Sequence, residues 1–241
     1  MPNNRIPPFF VELRTHPDLS IADQYAMIRD IQGIGIRLSL SQIVSTAKSQ
    51  LSRYNAHPLF LDFGVLDSQR DTVNLIKYAG SFNTVLTSVN TMADRFVKVA
   101  VEEAERQNIK VLGTTISSYY DDAYTNMYFG MNLAGTINFF VARARELGCY
   151  GYIVPGIVLA AIKDIRKKVG GIAFCPKVVP SWYSTSGESG PKTVSPAKAC
   201  ENGADIISCH VPIFRGDLEP SEAVNRILSE IRNVTSRARI I

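Results

Sequence analysis

Charged side chains able to do chemistry in this 241-residue chain gather at the ends of short apolar runs. The first run ends Val11-Glu12-Leu13-Arg14 and the second Gly35-Ile36-Arg37-Leu38-Ser39. The third reads Leu59-Phe60-Leu61-Asp62-Phe63-Gly64-Val65-Leu66-Asp67. Strand alternation puts Asp62 on one face with Phe60 and Gly64. Two arginines and two carboxylates brought to one mouth would form a compensated cluster, because an isolated buried charge is too costly to keep ionised. Such a cluster is either a structural ion-pair network or a site in which Arg14 and Arg37 hold a carboxylate or hydroxyls by planar two-point hydrogen bonds. Ser88, Ser117, Lys177 and His210 close the fourth, fifth, seventh and eighth runs and can add hydrogen bonds to a ligand. Lys177 and His210 can also carry a proton, although His210 suits a structural role equally well.

The elements that must position these residues follow from the apolar patterning. Runs rich in β-branched and aromatic residues recur at 8–14, 33–38, 58–64, 82–88, 109–117, 150–155, 171–176 and 204–209. Each is followed by a segment with helical spacing, such as 21–31 and 91–107, which is the pattern of parallel strands joined by crossover helices. Eight such units predict a single (β/α)8 TIM barrel occupying residues 1–241. In the segment 91–107, Met92, Phe96, Val99 and Ala100 recur at helical spacing, with Asp94, Lys98, Glu102, Glu103 and Glu105 elsewhere. Gly148, Gly170 and Gly203 stand where crossover helices should end in left-handed caps. Two polar loops, 118–126 and 181–193, follow the fifth and seventh strands, on the face where barrel active sites are built. The second is long, bears glycines and Trp182, and reads as a lid with Ser181 at its root as a candidate substrate contact.

Composition excludes several classes of function. The chain is 46% hydrophobic and 20% charged, enough to close a substantial core. Its 26 basic and 22 acidic residues give a net charge of +4 with no block of five like charges, so neither a nucleic-acid arm nor a polybasic membrane anchor is expected. Arg166, Lys167 and Lys168 form the densest cluster and read as a solvated helix end. No apolar run reaches the ~18 residues needed to span a bilayer. The start, Met1-Pro2-Asn3-Asn4-Arg5, lacks the apolar core of a secretion signal, so a cytoplasmic protein is expected. Cys149, Cys175, Cys200 and Cys209 lie singly, with His16, His57 and His210 as the only histidines, which argues for buried thiols and against zinc. Gly33-Ile34-Gly35 lacks the third glycine of a dinucleotide fingerprint, so no metal or organic cofactor is expected.

The stretch 59–67, followed by Thr72-Val73, resembles the third-strand motif Asp-x-Lys-x-x-Asp of the orotidine 5'-phosphate decarboxylase superfamily. Val111-Leu112-Gly113-Thr114-Thr115-Ile116-Ser117 is similar to that family's fifth strand, whose serine addresses the pyrimidine ring. Phe174-Cys175-Pro176, Ser195-Pro196-Ala197-Lys198-Ala199, Gly203-Ala204-Asp205 and Val211-Pro212-Ile213 resemble its seventh strand, lid and eighth-strand region. The resemblance implies a barrel of the ribulose-phosphate-binding type. It also implies a cofactor-independent decarboxylase-like lyase acting on a pyrimidine nucleotide, nucleoside or related sugar-acid carboxylate, and a homodimer in which Asp67 reaches the partner's site.

Four positions depart from the family. Gly64 replaces the lysine that protonates the carbanion, and Val211 replaces an arginine that grips phosphate. Arg14 stands in this register where an aspartate contacts the sugar, and Arg37 where a second lysine belongs to the charged network. Arg37 cannot replace the acid, because a guanidinium does not release its proton near neutral pH. Lys177, His210 or a water must then deliver the proton, with Asp62 and Asp67 kept in the site. The alternatives are a different lyase, isomerase or hydrolase chemistry at the same mouth, or a ligand-binding paralogue that has lost catalysis.

Overall fold

The computed structural model describes residues 6–46, 48–65, 68–92, 94–117, 120–183 and 193–238, excepting the side chains of Val65 and of 235–238. Eight strands follow one another in sequence order: β1 (Phe9–Glu12), β2 (Gly35–Ser39), β3 (Leu59–Val65), β4 (Thr84–Asn90), β5 (Lys110–Thr114), β6 (Gly151–Ile153), β7 (Ile172–Cys175) and β8 (Ile206–Cys209). Every strand pairs in parallel with its sequence neighbours and β8 closes on β1, giving the predicted (β/α)8 barrel, with each strand overlapping its expected range. Because helices cover the outside and side chains fill the inside, the strands are apolar on both faces.

The barrel interior fills in layers. Phe10, Phe60, Leu112 and Phe174, one from each odd-numbered strand, lie in one buried cluster. The Phe60 and Phe174 rings meet edge-to-face at 5.0 Å, and those of Phe10 and Phe60 at 6.0 Å. Phe10 can cross the barrel because β2 offers Gly35 beside it, where a Cβ would fall 2.3 Å from the ring. One step nearer the carboxyl ends, the even strands contribute Arg37, Ser88 and Ser208 instead of apolar side chains. Apolar filling stops at this level, and the mouth of the barrel begins.

The crossover helices start at side-chain caps. Ser20, Ser68, Asp121, Asn132 and Ser195 each accept the backbone N–H three residues on, opening helices Ile21–Ala26, Gln69–Ala79, Asp122–Phe129, Leu133–Glu146 and Pro196–Glu201. Gly148, Gly170 and Gly203 all take positive φ at the expected ends. Two helices are shorter than their apolar spacing predicts. The first ends at Ala26, because Ile28 and Ile31 bond back three residues, to the carbonyls of Tyr25 and Ile28, and tighten the chain into turns. The fourth crossover helix is Asp94–Arg106: Thr91 is turned inward, its hydroxyl donating to the Thr114 carbonyl at 2.6 Å. Met92 is consequently exposed, and the buried face runs through Val97, Ala100 and Ala104.

Three of the four thiols are buried and Cys200 is half-buried. Lys167 and Lys168 are solvated, but Arg166 is not part of that surface: it forms a two-point pair with Asp205 at 2.7 and 2.6 Å, tying its helix to the approach of β8. Among the described residues no helix is long and apolar enough to cross a membrane.

Candidate functional site

The sequence places one acid and one base at the ends of β1 and β2, and the register decides which of them meet. β1 pairs with β2 so that Glu12 stands level with Arg37. Arg37 Nη1 donates to Glu12 Oε2 at 3.0 Å and to Ser208 Oγ at 3.1 Å, while its Nε donates to Asp62 Oδ2 at 3.0 Å and its Nη2 to the same oxygen. Arg14 grips the other oxygen of Glu12, with Nε and Nη2 each 3.0 Å from Oε1. The result is a chain of alternating charge, Arg14–Glu12–Arg37–Asp62, neutral as a whole. The Arg37 guanidinium lies over the rings of Phe60 and Phe174, 5.5 and 5.4 Å from their centroids, directly on the apolar filling.

Electrostatics follow from this packing. Glu12 and Arg37 are 5% and 8% exposed, so water cannot screen them. Burial pushes the Glu12 carboxyl up, but the guanidinium charges of Arg37 and Arg14 overcome it and hold the group below its ordinary value. Burial likewise works against the charge on Arg37, and Glu12 and Asp62 together hold its pKa above the ordinary value. Four of the five N–H groups of Arg37 are committed within the protein. In this structure Arg37 organises the carboxylates, and its donors are taken up by them and by Ser208. The Ser88 hydroxyl donates to Asp62 Oδ1 and accepts the Gly64 N–H at 2.9 Å. It orients Asp62.

Beside this chain lies a cavity of about 590 Å3, walled by the carboxyl ends of β1 and β5 to β8 and the segments after them. Arg14, Ser117, Lys177 and His210 line it, as do Glu12, Thr114, Tyr183 and Val211. Arg37, Asp62 and Ser88 do not, so the predicted site residues fall into two adjoining groups that meet at Glu12. Ser181 is exposed and off the cavity wall; the described residues of that loop on the wall are Tyr183 and Thr193, one at each root. Asp67 lies outside the described residues, as does most of the loop read as a lid.

The chemistry available on the wall can be read group by group. His210 Nδ1 is 2.7 Å from the Glu12 carbonyl, which can only accept, so Nδ1 carries the proton and donates. Burial lowers the His210 pKa and keeps the ring neutral, leaving Nε2 as its acceptor nitrogen. Lys177 follows β7 with φ of 58°, a left-handed backbone unusual for a side-chain-bearing residue. Gly64, at the end of β3, also has a left-handed φ of 56°, and a Cβ there would meet nothing within 4 Å. Among the described residues, no three His, Cys, Asp or Glu side chains form a group that could hold a metal ion.

The sequence alone does not single out Glu12, a member of the charged chain, or Ser208, which accepts from Arg37. Glu12 was passed over in favour of Arg14, two residues on and on the same face. Ser208 sits inside Ile-Ile-Ser-Cys, where a small residue reads as core filling. The signal that could have found Glu12 is an ionisable residue flanked on both sides by fully buried ones, Val11 and Leu13.

No family model matches the chain. An orotidine 5'-phosphate decarboxylase from Afipia carboxidovorans is 28% identical over 162 residues, a match spanning 66% of this chain and 64% of the relative's length. The solved orotidine 5'-phosphate decarboxylase from Lactobacillus acidophilus superposes with a TM-score of 0.75 at 17% identity, covering 94% of this chain and 99% of that one. An uncharacterised conserved protein from Geobacillus kaustophilus superposes with a TM-score of 0.74 at 16% identity, covering 93% and 100% of the two chains. At such identities the two structures speak for the fold alone.

Proposed function

We propose that this chain is a member of the orotidine 5'-phosphate decarboxylase superfamily and a cofactor-independent carbon–carbon lyase of the decarboxylase type. Its substrate is an anionic small molecule, either a pyrimidine nucleotide or nucleoside or a related sugar-acid carboxylate, and it acts in the cytoplasm as a homodimer. The observation that carries the reading is the cavity at the carboxyl ends of the strands, with Arg14 and Lys177 on its wall next to the buried chain Glu12–Arg37–Asp62. A volume of about 590 Å3 suits a ligand of nucleotide size.

In this reading Arg14 meets the substrate's anionic group, since Glu12 occupies one edge of its guanidinium and the remaining N–H groups are left for a ligand. Ser117 and Thr114 supply hydrogen bonds to neutral polar atoms. Asp62, fixed by Arg37 and Ser88 behind the cavity wall, supplies a negative charge that a departing carboxylate would approach only by reaching past Glu12. The carbon–carbon bond breaks with its electron pair left on the substrate carbon, carbon dioxide leaves, and the carbanion takes a proton. Gly64 cannot give one, so Lys177 Nζ or a water does, and solvent restores it. The Asp67 of a second copy would complete the charge pattern.

A ligand-binding paralogue remains as the second reading, favoured by one observation: Arg37 neutralises Asp62 directly, which weakens its repulsion of a substrate carboxylate. One experiment decides. Orotidine 5'-monophosphate and orotidine are offered to the wild type and to Asp62→Asn, following carbon dioxide release, while uridine 5'-monophosphate is titrated by calorimetry. Turnover that falls about a hundredfold or more in Asp62→Asn supports the lyase. Tight binding without turnover supports the paralogue, and neither binding nor turnover refutes the nucleotide class.

A further inference from the structure

The chain's single tryptophan, Trp182, stands in the connection that leaves β7. The backbone fixes the start of this connection. Val178 N–H donates to the Ser208 carbonyl at 3.1 Å, Val179 N–H to the Val194 carbonyl at 2.9 Å, and Tyr183 N–H closes a turn onto the Pro180 carbonyl at 3.1 Å. Within that turn two adjacent aromatic side chains part. Tyr183 is 7% exposed and forms part of the cavity wall, its ring also packed where a Cβ on Gly216 would come within 3.4 Å.

Trp182 faces the C-terminal helix Pro220–Ala238 instead. Its indole N–H donates to Glu230 Oε1 at 2.8 Å, and the Arg226 guanidinium lies 4.9 Å from its ring centroid. Arg226 and Glu230 are four residues apart and so share one face of the helix. One contact is a hydrogen bond to a carboxylate and the other a cation over an aromatic face, the two most directional interactions an indole can make. We propose that Trp182 is a positioning residue: clamped by Arg226 and Glu230, it holds Tyr183 in the cavity wall and lets the C-terminal helix set the shape of the ligand site from outside. A ligand that fills the cavity against Tyr183 would thus be sensed at a helix that never touches it. This inference rests on reading the cavity as the binding site.

Hydrogen exchange of the ligand-free chain tests the clamp. Trp182→Ala should speed exchange at the Val178, Val179 and Tyr183 amides about tenfold or more, with the strand amides unchanged. Glu230→Gln keeps the acceptor oxygen and should stay within about twofold of wild type, whereas Glu230→Ala should resemble Trp182→Ala. The emission of Trp182 should shift in Glu230→Ala and not in Glu230→Gln. Exchange in Trp182→Ala within about twofold of wild type, or an equal acceleration across the whole barrel, overturns the proposal. In titrations with uridine 5'-monophosphate, Trp182→Ala should bind about fivefold or more weakly than wild type, and equal affinity also overturns it. If wild type itself does not bind, the nucleotide reading of the site fails, and the exchange comparison alone judges the clamp.

Discussion

Replacing Glu12 with glutamine removes one charge and almost no volume, and the structure says what that should do. Three charge-assisted contacts end on this carboxylate, from Arg14 Nε, Arg14 Nη2 and Arg37 Nη1, each at 3.0 Å. The gross attraction of one such pair is about 4 kcal/mol for charge centres roughly 4 Å apart at an effective dielectric near 20. Part of this is offset by the desolvation of Glu12, which the variant no longer suffers. Arg37 keeps Asp62 and Ser208 and is therefore not left wholly uncompensated. The loss should fall at the lower end of that seen on breaking a buried ion pair, about 3 kcal/mol. With a urea slope of about 3 kcal/mol/M, the unfolding midpoint at pH 7 should drop by about 1 M. The folded pKa of Glu12 is depressed below its ordinary 4.5. Its contribution is therefore fully present above 4.5 and lost as pH falls through the folded value, so the gap between wild type and variant should close in acid. A loss under about 0.5 kcal/mol at pH 7, or a gap that widens on acidification, would show that Glu12 is a bystander in the charged chain.

Gly35→Ala puts a Cβ into the Phe10 ring and should destabilise the barrel by about 1–3 kcal/mol in thermal unfolding. Gly64→Lys meets open space at a left-handed φ, so it should fold with a penalty of about 1 kcal/mol. If the missing acid limits the lyase, the same variant should raise turnover of orotidine 5'-monophosphate. Burial pushes the thiols of Cys149 and Cys175 up to about 12 and that of Cys200 to about 11, and raises Cys209 as well. All four should react slowly with a disulfide reagent in the native state at pH 8 and quickly in denaturant; a fast native thiol would contradict the packing around it.

The barrel was legible because each strand is covered on both faces and so announces itself as an apolar run, and because the helix ends carry glycines at 148, 170 and 203 that the backbone turns to positive φ. The lengths of two helices were not, since Thr91 answers to a partner 23 residues on, and the turns at Ile28 and Ile31 have an apolar spacing that a helix would also show. The charged site was legible in its residue types and illegible in its partners. Alternation within one strand puts Glu12 and Arg14 on the same face and cannot choose between them. The choice is made by the β1–β2 register, Glu12 opposite Arg37, which is set by the closure of the whole sheet. Arg14 lies past that level, where Leu13 N–H already bonds the Arg37 carbonyl, and so reaches the cavity wall instead.

That register changes what the departures at the strand ends mean. With Glu12 read in the first position, the described charges run negative, positive, negative across β1, β2 and β3, and Gly64, two residues past Asp62 on β3, adds none. These three charges stabilise one another by mutual compensation. Arg14, displaced by one pair from the network's core, is bound to the protein along one edge of its guanidinium and so retains donors for an anion. The groups left to handle a proton, Lys177 and the neutral ring of His210, stand after β7 and β8, on the side of the barrel away from Gly64. A proton delivered in this cavity would thus arrive from the wall of β7 and β8, and its delivery would depend on how firmly the connections after those two strands are held.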